Sequence, residues 1–450
     1  MIHCFSVNGR HLVIDITSGA LHAVDDGAYE ILGILQEEPS LVDDPEKLHS
    51  KTNLLHDIFD ETLTEVRQLI ARGQLFTPSQ EAQVHTHMKT RNPVVKALCM
   101  HMAHECNLRC GYCFAGQGDY GADRGLMSLE TGKKALDFLI AKSGTRRNLE
   151  VDFFGGEPML NFATVKALVD YGRKREKEAG KCFRFTLTTN GALLTQDDHA
   201  YINQYMDNVV LSLDGRPEVN DHMRKLAGKS EGSYSTVFPK IKALADARKQ
   251  KNYYVRGTYT RHNLDFAADV MHLADAGFEQ ISVEPVVAPP SADYSLREED
   301  LPQLYAEYEK LADELLSRKN VSFFHFMIDL SGGPCLAKRV TGCGAGSEYL
   351  AVTPSGRLFP CHQFVGDDAF CLGDLDTGIV NEEIVSNFAG CHVYTKPACR
   401  DCWARYYCSG GCMANAYYAN GDINLPDKIS CDLQKKRIEC ALYMIASRQG

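Results

Sequence analysis

Seventeen cysteines, most of them in two dense groups, limit what this chain can fold into more than any other feature of its sequence. Cys106, Cys110 and Cys113 stand within one short loop, and a longer run extends from Cys335 to Cys431. The opening MIHCFSVNGRHLVIDIT has His, Arg and Asp inside its apolar stretch and no small-residue cleavage site, so it does not read as a secretory signal. The chain is therefore expected in the cytoplasm, where thiols stay reduced, and an odd cysteine count there points to metal sites before disulfides. Cys4, Cys99, Cys182 and Cys440 sit singly in apolar or helical segments and read as small buried thiols.

At 450 residues the chain has room for two to four domains. No run of 18 apolar residues occurs, so a membrane span is not expected. A net charge of −11 without a basic tract excludes nucleic acid as the main partner, because phosphate binding requires clustered Lys and Arg.

Along residues 1–76 the patterning predicts short strands at His3–Val7, Arg10–Ile16 and Ala20–Ala23, helices near Asp25–Gln36 and Glu61–Arg72, and a lesser helix between them. This is a small α+β, winged-helix-like unit. Residues 77–93 are polar and aperiodic, end in Asn-Pro, and read as a linker. From 94 to 330, six β-type runs (VVKALCMHM, LEVDFF, CFRFTLTT, NVVLSL, YYVRGTYT and QISVEPV) alternate with amphipathic stretches such as Ser128–Ser143, Phe162–Glu178 and Tyr234–Gln250. The fold class is α/β, with a parallel sheet and outer helices, either a partial barrel or doubly wound. Ligands sit at the C-terminal strand ends in both. Residues 331–450 are rich in Cys and Gly with only short hairpin-like runs, as expected of a fold held by metal rather than by a large apolar core.

The loop HECNLRCGYCF spaces Cys106, Cys110 and Cys113 as C-x3-C-x2-C directly after the first of these strands. Three thiolates on one loop suit an iron–sulfur cube and leave one iron without a protein ligand. Structural zinc prefers four closed ligands, commonly as paired C-x2-C units. His101 and His104 lie near but read as packing residues of the strand. DFFGGEP places Gly155, Gly156 and Glu157 at the second strand end, where glycines let a backbone approach a ligand or make a turn of positive φ. TLTTNG and LSLDG put Thr188, Asn190 and Ser212 at later strand ends, and Asn-Gly and Asp-Gly turns account for Gly191 and Gly215. In the Cys-rich region, Cys343 and Cys361 bracket Gly356, and a second set runs Cys399-x2-Cys402-x5-Cys408-x3-Cys412-x18-Cys431. Seven thiolates divide badly between closed tetrahedral zinc sites.

The C-x3-C-x-aromatic-C motif, with Tyr112 as its aromatic residue, resembles that of the radical S-adenosylmethionine (SAM) superfamily. The resemblance implies a partial (β/α)6 barrel. It also implies a [4Fe–4S] cluster on Cys106, Cys110 and Cys113 whose open iron chelates SAM and whose electron cleaves SAM to a 5′-deoxyadenosyl radical. Tyr112 would then lie against adenine, Gly155, Gly156 and Glu157 would form the GGE motif that receives the SAM amino group, and Thr188, Asn190 and Ser212 would contact ribose and carboxylate. Arg224, in NDHMR, would pair with that carboxylate.

Residues 331–450 are similar to the SPASM domain of radical SAM peptide maturases. By that likeness Cys399, Cys402, Cys408 and Cys431 close one auxiliary cluster, and Cys343, Cys361 and Cys412 hold another. Three [4Fe–4S] clusters with SAM are thus expected. Cys335 is the candidate fourth ligand. If it does not reach, the open iron is available to a substrate thiolate, and the open site is the expectation. Cys371 and Cys391 fall outside the pattern.

Residues 1–76 resemble a leader-peptide recognition domain, for which strand addition gives a physical route. The domain order resembles maturases of six-cysteine (SCIFF) sactipeptides. It implies thioether crosslinks between cysteine sulfur and α-carbon in a ribosomally made Cys-rich precursor, with a low-potential electron donor and an anaerobic setting. Oxidation of the anaerobic sulfatase-maturase type is one alternative, and a non-catalytic iron–sulfur carrier or peptide-binding scaffold is another.

Overall fold

A computed structural model describes residues 1–121, 124–330 and 335–449. The expected boundary between 330 and 331 falls at residues 331–334, which lie outside the described residues. No helix among the described residues is long and apolar enough to cross a membrane.

Strands Ile2–Val7, Arg10–Asp15 and Leu21–Ala23 form a three-stranded antiparallel sheet in chain order. Asn8 and Gly9, both at positive φ, make the tight turn that sets the register of the first two strands. Ile2 and Val13 pack against Ile31 and Leu35 of helix Asp26–Glu37 and Phe59 and Leu63 of helix His56–Ala71, and this is a core of its own.

The stretch expected as a linker instead contains helix Glu81–Thr90. Its single buried residue, Val84, joins a cluster with Ile16, Val340 and Tyr394, and Met88 packs alongside. One apolar contact per turn is too short a stripe to stand out from polar neighbours.

All six expected strands form, as Ala97–Ala103, Asn148–Gly155, Cys182–Thr189, Asn208–Ser212, Tyr254–Tyr259 and Gln280–Pro285, paired parallel in that order. Side chains alternate. Leu98, Met100, Val151, Phe153, Phe185, Leu187, Leu211 and Val283 are buried in the main core shared with the helices, each contributing about 1.5–3 kcal/mol by burial. The other face carries Cys99, Asp152, Thr188, Ser212, Arg256 and Ser282, and the in-register pairing of Ser212 with Arg256 and of Arg256 with Ser282 sets these last three side by side. We call the space over this polar face the lumen.

Two features of the C-terminal third depart from expectation. Strand Tyr349–Val352 pairs parallel with Ala97–Ala103, so the Cys-rich region continues the central sheet, which reaches eleven strands. The chain also ends in a 22-residue helix, Lys428–Gln449, packed on helix Leu301–Leu316, where only short runs were expected. Its buried Leu433, Ile438, Leu442 and Met444 alternate with Lys and Arg, which hides the stripe.

The N-terminal sheet docks on this helix and on the Cys-rich region. The His3 ring stacks on Trp403 at 3.8 Å and 8°, and its Nε2 lies 3.0 Å from Glu439 Oε1. Trp403 is the sole tryptophan. Replacing His3 by Ala is expected to weaken the docking by about 1 kcal/mol and to red-shift tryptophan emission as the indole meets water. An unchanged emission spectrum would contradict the contact.

Candidate active site at the cluster loop

The cluster loop is held from below and from the side. Leu108–Cys110 pairs antiparallel with Arg224–Leu226, setting Cys110 opposite Arg224. Beneath lies the GGE turn. Gly155 has φ +117°, and a Cβ there would stand 2.4 Å from Ala103 O; a Cβ on Gly156 would stand 2.2 Å from Glu105 O. These glycines therefore let the second strand end pass directly under the residues that lead into Cys106.

The three thiols share one environment. Burial raises Cys106 and pushes Cys110 up to about 12, while the Arg224 guanidinium opposes burial at both, and the charge of Cys113 acts on both. Asn190 Nδ2 lies 3.7 Å from Cys106 Sγ and 2.8 Å from Asn107 Oδ1, and the Leu108 N–H also points at that sulfur, at 3.4 Å. Donors aimed at a sulfur stabilise its thiolate, the form that binds metal.

Glu157 is 1% exposed, and its carboxylate accepts from Thr189 Oγ1 at 2.7 Å, Asn190 N at 2.8 Å and Met159 N at 2.9 Å. It ties the second strand end to the third and so fixes Asn190 beside Cys106. Tyr112 is similarly engaged. Its hydroxyl donates to Asp214 (2.7 Å to Oδ2) and accepts from Arg224 Nη1 at 2.9 Å, and the Thr258 N–H also reaches Asp214 Oδ1, at 3.1 Å. Burial raises the Asp214 carboxyl, with Arg224 opposing. Arg224 Nε is buried without a hydrogen-bond partner among the described residues. A buried guanidinium beside thiolates, with one donor unspent, fits an anionic cluster and a carboxylate ligand.

Among the described residues no group of three His, Cys, Asp or Glu side chains is drawn in tightly enough to hold a single metal ion. Thiolates on the separate corners of a cube stand farther apart than those around one tetrahedral ion. The donor set of three thiols fits the cube.

In the Cys-rich region the thiols fall into two neighbourhoods. The charges of Cys412 and Cys343 act on Cys361, and that of Cys343 on Cys412. Cys399 feels Cys431 and Cys402, Cys408 feels Cys399 and Cys402, and Cys431 feels Cys408 and Cys402; burial pushes Cys399, Cys408 and Cys431 each up to about 11. These neighbourhoods run along the two sets that the likeness implies, although Cys391 also acts on Cys399. Cys335 is exposed at the head of helix Leu336–Thr341. Cys371 and Cys391 point at the Gly373 and Ile423 carbonyls.

His101 and His104 pack as expected, fully buried with ring nitrogens 3.0 Å apart. Ser212 lines the lumen, and Thr188 Oγ1 bonds Asp152 Oδ1 at 3.1 Å. Sequence reasoning placed Asp214 with Ser212 at a strand end without assigning it a role, and it passed over Asp152 and His362. Asp152 sits in the polar half of a strand alternation. His362 follows Cys361 and accepts or donates to Tyr349 OH at 3.0 Å, with its ring 5.1 Å from Phe154 and 5.6 Å from Phe114 beside Cys113. The Cys361 region thus abuts both the lumen and the cluster loop.

A family model described as a 4Fe-4S single cluster domain matches residues 95–236. The radical SAM cyclopropyl synthase TigE of Paramaledivibacter caminithermalis is 23% identical over 444 residues, covering 93% of this chain and 89% of TigE. The structure of anSMEcpe with bound AdoMet superposes with a TM-score of 0.64 at 20% identity, covering 79% of this chain and 99% of that one. SuiB of Streptococcus suis bound to precursor peptide SuiA superposes with a TM-score of 0.52 at 16% identity, covering 95% and 98%. These likenesses establish a shared fold.

Proposed function

We propose that this chain, a member of the radical SAM peptide maturases, joins a cysteine sulfur to an α-carbon within a ribosomally made Cys-rich peptide. The observation that carries this reading is the three-thiol neighbourhood of Cys343, Cys361 and Cys412 beside the lumen, in which the charges of Cys343 and Cys412 act on Cys361. Three protein thiols leave a coordination place that suits a substrate thiolate.

In this reading the chain holds three [4Fe–4S] clusters. Cys106, Cys110 and Cys113 hold the first, Cys343, Cys361 and Cys412 the second, and Cys399, Cys402, Cys408 and Cys431 the third. When bound, the first cluster and SAM supply a carbon radical able to remove a substrate hydrogen. The protein's own part is placement. Arg224 offers its unspent Nε to the SAM carboxylate, Asn190 supports the Cys106 thiolate, and the Tyr112–Asp214 pair holds Arg224 in position. Gly155 and Gly156 keep the approach to the loop free of side chains, and Thr188 and Ser212 line the route below. The three-stranded N-terminal sheet would take a leader peptide by strand addition at an edge. The work would be done in the cytoplasm of an anaerobic cell with a low-potential electron donor.

The similarity to TigE favours one rival, closure of a carbon ring in the peptide. Anaerobic reconstitution with SAM, reductant and a synthetic Cys-rich peptide tests both. Formation of 5′-deoxyadenosine together with loss of a hydrogen pair per event is expected, with one thiol per event becoming resistant to alkylation. The same hydrogen loss with every thiol still alkylated would favour the carbon ring. No 5′-deoxyadenosine from an iron-replete sample would leave only a carrier or scaffold.

A further inference from the structure

Sulfur cannot bond to carbon while it keeps its proton, and Asp152 puts a carboxylate on the lumen face that makes no ion pair among the described residues. Asp152 lies on strand Asn148–Gly155, in register with Cys99 on one side and Thr186 on the other. Its side chain accepts one hydrogen bond, from the Thr188 hydroxyl at 3.1 Å. It makes no ion pair within 4 Å among the described residues. Arg256 acts on it from across the lumen, but that guanidinium lies 2.8 Å from Glu284 Oε1. The residue is partly buried.

We propose that Asp152 is a catalytic base that takes the proton from the substrate thiol. The inference rests on the sulfur-to-carbon reading of function and adds to it the fate of the thiol proton. The S–H bond breaks, an O–H bond forms on the Asp152 carboxylate, and the electron pair stays on sulfur. No oxidant or reductant enters this step, and the proton leaves later to water in the lumen.

Position is the first argument. Asp152 is in register with Cys99, whose other neighbour is Ala351 of strand Tyr349–Val352, and Phe154, on the same face as Asp152, lies 5.1 Å from the ring of His362, the residue after Cys361. The carboxylate therefore shares one wall of the lumen with the Cys343–Cys361–Cys412 neighbourhood. The groups facing Asp152 cannot replace it. Cys99 and Tyr349 are themselves held protonated by burial, as is Tyr120, whose hydroxyl is directed to Gly155 O. Arg256 is a cation, and Thr188 is a donor already turned toward the carboxylate.

Basicity is the second argument. Burial, opposed by the Thr188 bond and Arg256, pushes the Asp152 carboxyl up to about 7. A carboxylate this basic takes a thiol proton far more readily than one of ordinary strength. A brace would be better served by a carboxylate saturated with donors, as Glu157 is.

The full-length chain with its clusters reconstituted serves for the test. Without peptide, the infrared difference between wild type and Asp152→Asn should show a protonated carboxyl that disappears as pH rises through about 7. With a synthetic Cys-rich peptide as probe, crosslinks formed per 5′-deoxyadenosine should rise with pH over the same range, because the base must be ionised. Asp152→Asn should lower that ratio by roughly 100-fold and flatten its pH dependence, and Asp152→Glu should restore part of it. Asp152→Asn should also be at least as heat-stable as wild type at pH 8, since it removes a buried charge. No carboxyl titrating near neutrality, or an Asn variant with the wild-type ratio and profile, overturns the proposal. A wild type that makes no 5′-deoxyadenosine overturns the functional reading instead, and the infrared titration still judges Asp152.

Discussion

Cys106→Ala is expected to abolish 5′-deoxyadenosine formation from SAM, a loss of at least about 1,000-fold that leaves only background chemistry, while most of the iron stays bound. The loop offers three thiols and no substitute. His104 and His101 are packed together in the strand behind it, and the nearby carboxylates Glu157 and Asp214 are committed to Thr189, Asn190 and Met159 and to Tyr112 and Thr258. Two thiolates do not retain a cube. Iron should fall by about a third if three equal clusters are present, and the absorbance and paramagnetic signals of the remaining clusters should persist. The loop takes its three thiols from residues 106–113 and the Cys-rich region takes its own from residues 343–431, so the sites should empty independently. Loss of all iron in this variant would refute separate sites, and retained SAM cleavage would refute the assignment of the loop.

The candidate cluster loop was legible in the sequence because Cys106, Cys110 and Cys113 lie within a few turns of chain, so their spacing survives as a string, as does that of Cys399, Cys402 and Cys408. Cys343, Cys361 and Cys412 are spread too widely for that, and only the likeness groups them. The six strands were legible for a related reason. Alternation between helix-facing Val, Leu and Phe and lumen-facing Asp152, Thr188 and Ser212 is a local record of a two-faced sheet. What stayed hidden depends on partners distant in the chain. Tyr349–Val352 is a strand because the Ala97–Ala103 edge awaits it some 250 residues earlier, as the Tyr349↔Ala97 register shows. Helix Glu81–Thr90 exists because Val84 has a pocket made by Ile16 and Val340. Asp214 reads as half of a turn until Tyr112, more than 100 residues away, is seen to donate to it. The N-terminal unit lay between these cases, since its hairpin and helices were visible but its docking through His3 and Trp403 was not.

Glu157 is where reading by motif and reading by geometry diverge, and Glu157→Ala separates them. The motif likeness assigns the residue to the cofactor. The geometry shows three buried donors, from Thr189, Asn190 and Met159, converging on its two oxygens. Alanine leaves all three unmet, and each buried donor left without a partner costs about 1–3 kcal/mol. A loss of about 3–6 kcal/mol is therefore expected in denaturant titration of the reconstituted protein, a large share of the ~5–15 kcal/mol that holds a domain. Glu157→Gln should lose less. Its oxygen can still accept from Thr189 and Met159, while its amide nitrogen meets the Asn190 N–H donor to donor. Charge works in the opposite direction. Burial raises the Glu157 carboxyl against the pull of its three donors and of Arg224. A carboxyl raised in the folded state supports folding most fully below its unfolded pKa, and that support is lost as pH rises through the folded value. The gap between wild type and Gln should thus narrow as pH rises, because the amide carries no charge to bury. SAM cleavage should fall in step with stability, since Asn190, held by Glu157, carries the amide that faces Cys106 Sγ. If Glu157→Ala keeps wild-type stability and loses only SAM binding, the carboxylate serves the cofactor directly and the brace is not its main role. If stability and cleavage fall together, the GGE turn acts by fixing the strand ends on which the cluster loop rests.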